Sequence, residues 1–372
     1  MKKYQTGKPY LAAKERKYVL EVLNSGSLSL GPKYQEFERR FARLIGTRYA
    51  CAVSSGTAGL HLAMITAGIT RGDEVITTPF SFIASANCVE YVGARPVFVD
   101  IDPVTYNIDP KKIERAITKK TKAILVVHIF GQAADMAPIV RIAKRHRLQI
   151  IEDACESINA TYRGKKTGTF GTAAVFAFYP NKQMTTGEGG MVVTNDKKVY
   201  ERCCSLRNQG RARNDQWLDH RELGYNYRLD EMSAALGIAQ LEKLNWMIAQ
   251  RQKIAGRYRR LLKPYQTIVA APIVARGNVS TWFVYVVRLL DKKINRDRVI
   301  KELERCGINA KPYLPPIHLM NYYRKKYRYR PGSFPITEAV SRQTLALPFY
   351  LGLTKKDISH IVSTLIRILK ES

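Results

Sequence analysis

The sequence predicts an α/β fold with a mainly parallel central sheet sandwiched by helices, followed by a smaller C-terminal α+β domain. Short apolar runs alternate with segments of helical periodicity through the first 245 residues. These runs show little polar alternation, which is typical of strands that are covered by helices on both faces. The regular alternation ends near residue 245, so we predict a large domain at residues 1–245 and a small domain at residues 246–372.

The large domain begins with two predicted helices, at residues 11–24 and 33–45, separated by a loop rich in Gly and Ser. A short buried strand at Ala50–Val53 then leads into a helix that continues through Ala67. Further apolar runs predict strands at Glu74–Thr77, Arg95–Asp100, Thr121–His128, Gln149–Glu152, Thr172–Ala177 and Gly190–Thr194. Helical stretches between many of these runs favour a parallel order of strands.

The second part of the chain has a different pattern. Residues 229–263 contain few helix breakers and predict one or two long helices. A strand is expected at Ser280–Leu290, then a helix from near Asn295, a Pro-rich loop around residues 312–316 and a final helix at Lys355–Leu369. This mixture predicts the smaller α+β domain.

The chain is strongly basic. Its 372 residues include 61 Lys and Arg against 31 Asp and Glu, a net charge of +30. The densest basic run is Arg324–Arg330, in which tyrosines interleave with the cations. Such a run could bind nucleic acid or attract a polyanionic substrate, although a solvated surface is the simpler interpretation.

The cysteines and the hydropathy indicate the cellular compartment of the protein. The six cysteines form no C-x-x-C pair and have no zinc-ligand spacing, so we expect free thiols in a reducing compartment and no metal site. No apolar run approaches the length of a membrane helix, and Met1–Gly7 lacks the apolar core of a secretory signal. We therefore expect a cytoplasmic protein that does not span a membrane.

Three segments have chemical character. Ser54–Ala58 leaves a strand and enters a helix, and its glycine and free backbone N–H groups suit a phosphate, although many such turns bind nothing. Asp153 follows an apolar strand, where it either holds a ring nitrogen protonated or caps a helix. Lys182 lies in a polar turn before a Gly-rich stretch, and it is either a Schiff-base lysine or a solvated loop lysine. In this order the three describe a pyridoxal phosphate site.

These segments belong to a larger set of motifs in the same order. The set comprises Ser55-Gly56-Thr57-Ala58, Phe130-Gly131-Gln132-Ala133-Ala134-Asp135-Met136, Glu152-Asp153-Ala154, Tyr179-Pro180-Asn181-Lys182, Thr185-Thr186-Gly187-Glu188-Gly189-Gly190, Gly224-Tyr225-Asn226-Tyr227-Arg228-Leu229 and Leu347-Pro348-Phe349-Tyr350. With them the chain resembles the DegT/DnrJ/StrS family of sugar aminotransferases over nearly its whole length. The resemblance implies fold type I, a pyridoxal 5'-phosphate cofactor, and a homodimer with both active sites at the interface.

The resemblance also implies roles for individual residues. Lys182 matches the lysine that forms the internal aldimine, and Asp153 matches the carboxylate paired with the pyridine nitrogen. Phe82 matches the aromatic residue that stacks on the ring, with core packing as the alternative.

Four further positions match the phosphate site of the family. Gly56, Thr57 and Ala58 match the phosphate-binding turn. Asn226 matches a residue that reaches the phosphate bound in the neighbouring subunit, so a monomer is expected to hold the cofactor poorly.

Two positions depart from the family pattern. Ala177 stands where a phosphate-binding Ser is usual. Loss of that hydroxyl would weaken cofactor binding by about 1 kcal/mol or more, unless Thr57 or a water molecule compensates. Glu156 stands where Gln commonly lies beside the phenolic oxygen of the cofactor. A second carboxylate there is unfavourable unless it is protonated or paired with a base.

The resemblance also suggests residues on the substrate side of the site. Tyr179 and His318 resemble substrate-side positions of relatives. Arg228 either binds the carboxylate of the amino donor or braces the dimer. Tyr313 is a candidate for contact with a nucleotide diphosphate, together with the basic run.

The lysine at position 182 favours transamination, because relatives with His at this position act as sugar dehydratases. We expect a ping-pong reaction through the Lys182 aldimine and a pyridoxamine form. An amino acid, expected to be glutamate, donates the amine, and a nucleotide-linked keto sugar accepts it. The alternatives are a keto-cyclitol acceptor or a nucleic-acid-binding regulator, but the sequence contains no helix-turn-helix or zinc-finger signature.

Overall fold

The computed structural model describes residues 2–211 and 219–371 of the chain. The helices within these residues are α1 (Ala13–Ser25), α2 (Pro32–Ile45), α3 (Gly56–Thr66), α4 (Ala84–Tyr91), α5 (Pro110–Ile113), α6 (Met136–His146), α7 (Lys197–Arg207), α8 (Glu231–Glu242), α9 (Leu244–Leu262), α10 (Arg296–Arg305), α11 (Asn321–Tyr327), α12 (Pro335–Gln343) and α13 (Lys355–Lys370). The strands are β1 (Tyr49–Val53), β2 (Glu74–Thr77), β3 (Arg95–Phe98), β4 (Thr121–Val127), β5 (Gln149–Asp153), β6 (Thr161–Tyr162), β7 (Lys165–Lys166), β8 (Ala173–Ala177), β9 (Gly190–Thr194), β10 (Val269–Ala270), β11 (Asn278–Val279), β12 (Tyr285–Leu289), β13 (Lys311–Pro312) and β14 (Thr344–Leu347).

The central sheet has seven strands in the order β1-β9-β8-β5-β4-β2-β3. The pairs β8–β5, β5–β4, β4–β2 and β2–β3 are parallel, whereas β9 runs antiparallel to both β1 and β8. Six strands therefore point in one direction, and their carboxyl ends lie along one edge of the sheet. The predicted mainly parallel sheet is confirmed.

Both faces of this sheet are buried, which explains the continuous apolar runs in the sequence. Cys51 and Val53 of β1 pack with Leu60 and Leu62 of α3 on one face. Ala50 and Ala52, which alternate with them, pack with Phe37 and Ile238 from α2 and α8 on the other. Because successive side chains of a strand point to opposite faces, both sets must be apolar.

A second sheet of four strands, in the order β10-β12-β14-β13, lies in the C-terminal part of the chain. Its core includes Tyr258 of α9, Tyr285 of β12 and Leu365 of α13. Tyr4 from the beginning of the chain also packs in this cluster and is buried. The N-terminal segment thus contacts the C-terminal core, and the division at residue 245 stays a prediction.

The region 229–263 forms two helices, α8 and α9, which is one of the two predicted arrangements. Other predicted elements differ from the structure. The strand predicted at Ser280–Leu290 is limited to β12, because Trp282 has a left-handed backbone with φ of 53° and interrupts the extended run. Asp153 ends strand β5 and caps no helix. Across residues 2–211 and 219–371, no helix is both long and apolar enough to cross a membrane.

The tyrosines of the basic run lie mostly within the protein. Tyr327 and Tyr329 of this run are half-buried and pack against a cluster formed by Phe98 and by Tyr323, the buried residue just before the run. Lys326 and Tyr327 both contact the carboxylate of Glu90. These rings therefore stabilise α11 against the large sheet, which favours a structural role over stacking on nucleic-acid bases.

Candidate active site

A cavity of about 510 Å³ opens beside the carboxyl ends of β5 and β8. It brings together eight of the residues predicted from the sequence: Gly56, Thr57, Phe82, Asp153, Glu156, Tyr179, Lys182 and Tyr313. Crevices outside the carboxyl ends of parallel strands are where ligands bind in open α/β sheets. The cavity is therefore the candidate active site.

The N-terminus of α3 faces this cavity. The Ser55 side chain caps the helix and accepts a hydrogen bond of 3.0 Å from the backbone N–H of Ala58. A Cβ atom on Gly56 would lie only 2.7 Å from Cβ of Ala177 and 3.0 Å from Sγ of Cys155. Glycine is required by this close contact, and the helix terminus offers N–H groups to an anion. The N–H of Ala58 itself is taken by Ser55, and Ala58 is not among the residues that line the cavity.

Asp153 is held in place by two donors at the end of β5. Its Oδ2 accepts a hydrogen bond of 2.6 Å from Ser85 Oγ, and its Oδ1 accepts one of 3.2 Å from the backbone N–H of Cys155. Ser85 Oγ also lies 2.7 Å from Ser81 Oγ. The carboxylate is 6% exposed, so a cationic group in the cavity would meet a largely desolvated and fixed partner.

Lys182 projects into the cavity from a tight turn. Its backbone N–H donates to the carbonyl of Tyr179 at 2.9 Å, and Pro180 fits the second position of such a turn. The Nζ atom lies 3.6 Å from Oε1 of Glu156 and 4.0 Å from the ring centroid of Phe283. The amine is thus enclosed between a carboxylate and an aromatic face.

Glu156 is the carboxylate that departs from the family pattern. Its Oε2 accepts a hydrogen bond of 2.9 Å from the backbone N–H of Phe130. Burial raises the pKa of Glu156 above its ordinary value, and the nearby Lys182 partly offsets this increase. The pairing with a base meets the condition under which a second carboxylate is tolerated here.

Aromatic side chains form the walls of the cavity. Phe82 is 63% exposed although it is a large apolar residue, so its ring is free to stack on a planar ligand. Tyr179 is 50% exposed at the same opening. Tyr313 lies deeper, where burial and then the nearby Glu156 raise the pKa of its hydroxyl.

Besides Ala58, three predicted residues lie outside this cavity in the single chain: Asn226, Arg228 and His318. Asn226 forms an isolated bridge with Asn208, and Arg228 Nη1 donates a hydrogen bond of 3.0 Å to Oδ1 of Asn208. Both residues belong to the segment whose Tyr227 carbonyl accepts from the backbone N–H of Ser54. The segment is therefore fixed beside the end of β1, and neither of the two side chains lines the cavity of its own chain.

His318 is turned away from the cavity. It is fully buried, and its Nε2 lies 3.0 Å from Oε1 of Glu338. Its ring also packs edge-on against Phe334, with the ring centroids 4.7 Å apart. Burial lowers the pKa of His318 despite the opposing effect of Glu338. This environment indicates packing within the protein and not contact with a substrate in the cavity.

The cavity fits pyridoxal phosphate on the evidence of its own groups. The α3 terminus suits a phosphate, the fixed Asp153 carboxylate suits a protonated ring nitrogen, and the exposed Phe82 ring suits a planar aromatic system. Lys182 supplies an amine for a carbonyl carbon. These four features occupy one cavity although they are far apart in the sequence.

Comparisons with known proteins agree with this geometry. The model of the DegT/DnrJ/EryC1/StrS aminotransferase family matches residues 9–366. The chain belongs to this family. GDP-perosamine synthase from Caulobacter vibrioides is 42% identical to this aminotransferase over 364 residues, which are 97% of each chain. Spore coat polysaccharide biosynthesis protein SpsC from Bacillus subtilis is 37% identical, covering 97% of this chain and 96% of its own.

Solved structures support the same assignment. PseC from Helicobacter pylori, an aminotransferase involved in the biosynthesis of pseudoaminic acid, superposes with a TM-score of 0.94 over 100% of both chains at 28% identity. The aminotransferase thus has the fold type I architecture that the resemblance implied. Its assignment to an enzyme family argues against the alternative of a nucleic-acid-binding regulator.

Sequence reasoning missed several residues of the site. Ser81, just before α4, and Phe283, from the C-terminal part of the chain, both line the cavity. Ser85, in the first turn of α4, donates a hydrogen bond to the Asp153 carboxylate. Ser85 lies three residues after Phe82, so a helix starting there could have indicated it. Phe283 had no local signal, because only the tertiary fold brings it to Lys182.

Proposed function

We propose that this aminotransferase moves an amino group from an amino acid, with glutamate as the expected donor, to the keto group of a nucleotide-linked sugar, using pyridoxal phosphate. The observation that carries the proposal is the meeting of Lys182, Asp153 and the α3 N-terminus in one cavity of about 510 Å³. When bound, the cofactor supplies an electron sink for a carbanion at the substrate carbon.

The residues of the chain have separate tasks in this proposal. The N-terminal N–H groups of α3 bind the phosphate, and Phe82 orients the ring by stacking. Asp153 holds a proton at the ring nitrogen because its carboxylate is fixed and largely desolvated. Lys182 binds the cofactor covalently, and its Nζ moves the proton at the substrate carbon once it is released.

The nature of the acceptor rests on the relatives. The name GDP-perosamine synthase includes the nucleotide GDP, which supports a nucleotide-linked acceptor for this chain. A keto-cyclitol is the second candidate. Amination assays that compare GDP-linked, UDP-linked and dTDP-linked keto sugars with a keto-inositol distinguish the two classes.

We also propose a homodimer with shared active sites. Among the described residues that line the cavity, Lys182 is the sole basic side chain, yet a donor carboxylate and a diphosphate both require cations. Asn226 and Arg228 lie outside their own cavity and are available to the cavity of a second subunit. A cytoplasmic location is proposed from the six free cysteines, which suit a reducing compartment.

The first test is the visible absorption spectrum of the purified protein with pyridoxal phosphate, before and after addition of glutamate. We expect the wild type to show an absorption band of the bound cofactor that disappears when glutamate is added. The Lys182→Ala variant should not show this band. Lys198→Ala, which alters a lysine outside the cavity, is the matched control and should behave as the wild type. A Lys182→Ala spectrum identical to that of the wild type would refute the proposed role of Lys182.

A further inference from the structure

Arg251 is a buried cation that none of the site motifs contains. It lies on α9 and is 4% exposed. Within residues 2–211 and 219–371, no carboxylate forms an ion pair with it, and burial lowers the pKa of its guanidinium to about 10. Burying a charge without an opposite charge is costly, so its retention needs a structural or functional reason.

The partners of Arg251 supply such a reason. Its Nη2 donates a hydrogen bond of 3.2 Å to the backbone carbonyl of Lys182. Its Nη1 donates to the carbonyls of Trp282 and Phe283, at 3.2 Å and 3.3 Å. One guanidinium therefore joins the turn that carries the lysine to the segment that carries the aromatic ring beside the lysine amine.

Further hydrogen bonds link the Phe283 segment to Glu156, on the other side of the Lys182 amine. The Phe283 N–H donates to the Phe130 carbonyl at 3.3 Å, and the Phe130 N–H donates to Glu156, which faces Lys182. A second hydrogen bond joins the same two segments as Arg251 does, because Gln183 Nε2 donates to Thr281 Oγ1 at 3.1 Å. Both neighbours of the Lys182 amine, the carboxylate and the Phe283 ring, are thus fixed to the same backbone framework.

We propose that Arg251 is a positioning residue that holds the Lys182 backbone against the Trp282–Phe283 segment, so that the amine rests between Glu156 and the Phe283 ring. An arginine is needed because its planar fork reaches carbonyls on two segments at once, whereas a lysine ammonium is a single point of contact. This inference rests on the proposed covalent role of Lys182.

The experiment measures how fast the cofactor-free protein captures pyridoxal phosphate. Stopped-flow absorbance over a range of cofactor concentrations separates the half-saturating concentration, set by the phosphate turn and Asp153, from the limiting rate of covalent capture by Lys182. Borohydride reduction and peptide mass identify the modified residue. The variants are Arg251→Lys and Phe283→Leu, and Arg260→Gln on the exposed face of α9 is the matched control.

We expect Arg251→Lys to lower the limiting rate at least tenfold and Phe283→Leu to lower it at least threefold. The half-saturating concentration should change less than twofold, and Arg260→Gln should match the wild type. A purely structural role would lower the melting temperature without this separation of rate and affinity. If Arg251→Lys does not fold, Arg251→Gln, whose amide can reach the carbonyls of one segment only, replaces it with the same expectation.

The outcomes distinguish this inference from the proposed function. If the wild type and Arg260→Gln do not capture the cofactor at Lys182, the proposed function fails. If they do, and the folded Arg251→Lys and Phe283→Leu variants keep the wild-type limiting rate, the positioning role fails while the proposed function stands.

Discussion

The Nζ atom of Lys182 lies 3.6 Å from Oε1 of Glu156, inside a cavity that already contains the Asp153 carboxylate. The pair accounts for a residue that departs from the family pattern, because the ammonium compensates the second negative charge. The other oxygen of Glu156 is satisfied by the Phe130 N–H. Glu156 is therefore fixed by both its hydrogen bond and its charge.

Glu156→Gln is expected to change how stability depends on pH. Because burial raises the pKa of Glu156, the native state binds its proton more tightly than the unfolded state. That contribution is complete below the ordinary glutamate pKa and is lost as the pH rises through the raised value. The variant lacks this loss, so its stability relative to the wild type should increase with pH, by about 1.4 kcal/mol for each unit of pKa shift.

Urea unfolding of the cofactor-free proteins between pH 5 and pH 8 measures this difference. Glu188→Gln, which alters an exposed carboxylate of the same cavity, is the matched control for the loss of one acidic group. A stability difference between Glu156→Gln and the wild type that stays constant over this range would contradict the raised pKa.

Ala177→Ser is expected to tighten cofactor binding. Ala177 lies directly against Gly56, since a Cβ there would come within 2.7 Å of the Ala177 methyl group. A serine hydroxyl at this place can donate to a phosphate on the α3 terminus, which is worth about 1 kcal/mol or about fivefold in affinity. Equilibrium dialysis with pyridoxal phosphate measures the gain. Pyridoxal without the phosphate is the control, and an equal gain for both ligands would exclude a phosphate contact.

Gly56→Ala is expected to damage the site and the fold together. The added methyl group would collide with Ala177 and Cys155, and such overpacking costs about 1–3 kcal/mol. Gly256→Ala is the matched control, because Gly256 lies inside α9 with no atom within 4 Å of the added Cβ. That change should stabilise the protein by about 0.5–1 kcal/mol. Thermal unfolding checks both, and equal effects of the two substitutions would contradict the packing at Gly56.

The elements predicted correctly from the sequence are those in which nearly every residue has the same buried, apolar environment. Strands such as β4 and β8 are covered on both faces, so their apolar runs carry a strong signal. The phosphate turn, Asp153 and Lys182 lie at or shortly after strand ends, and it was their order along the chain that indicated a common site. The α/β class and eight residues of the cavity lining were therefore accessible without coordinates.

The remaining features depend on contacts between distant segments. Phe283 and Arg251 act on Lys182 across separations of about one hundred and about seventy residues, and neither has a distinctive neighbour in the sequence. The same limit applies to His318, whose burial against Glu338 depends on how α12 packs. Local pattern could not reveal that its ring is directed into the protein and not into the cavity.

Asp357→Asn is expected to weaken the connection between the two ends of the chain at neutral pH. Asp357 accepts hydrogen bonds from Lys2 Nζ at 2.6 Å, from Tyr4 OH at 3.1 Å and from the Thr354 N–H at 2.9 Å, at the start of α13. Burial alone would raise its pKa, but these donors outweigh burial and hold the pKa below its ordinary value. The stabilisation is therefore present above the ordinary aspartate pKa and is lost as the pH falls below about 4.

The variant should lose about 1–3 kcal/mol at pH 7, because the ion pair with Lys2 is lost and the Tyr4 and Thr354 donors then bond to a neutral amide oxygen instead of a carboxylate. Its difference from the wild type should shrink at pH 3, because the unfolded wild-type chain, in which Asp357 has its ordinary pKa, then binds a proton that the native carboxylate does not bind. Chemical unfolding at both pH values measures the two differences. Lys2→Ala is the control: it removes an exposed partner but leaves the Thr354 and Tyr4 contacts, so it should have a much smaller effect. If Asp357→Asn loses as much stability at pH 3 as at pH 7, the charge of Asp357 does not hold the two ends together.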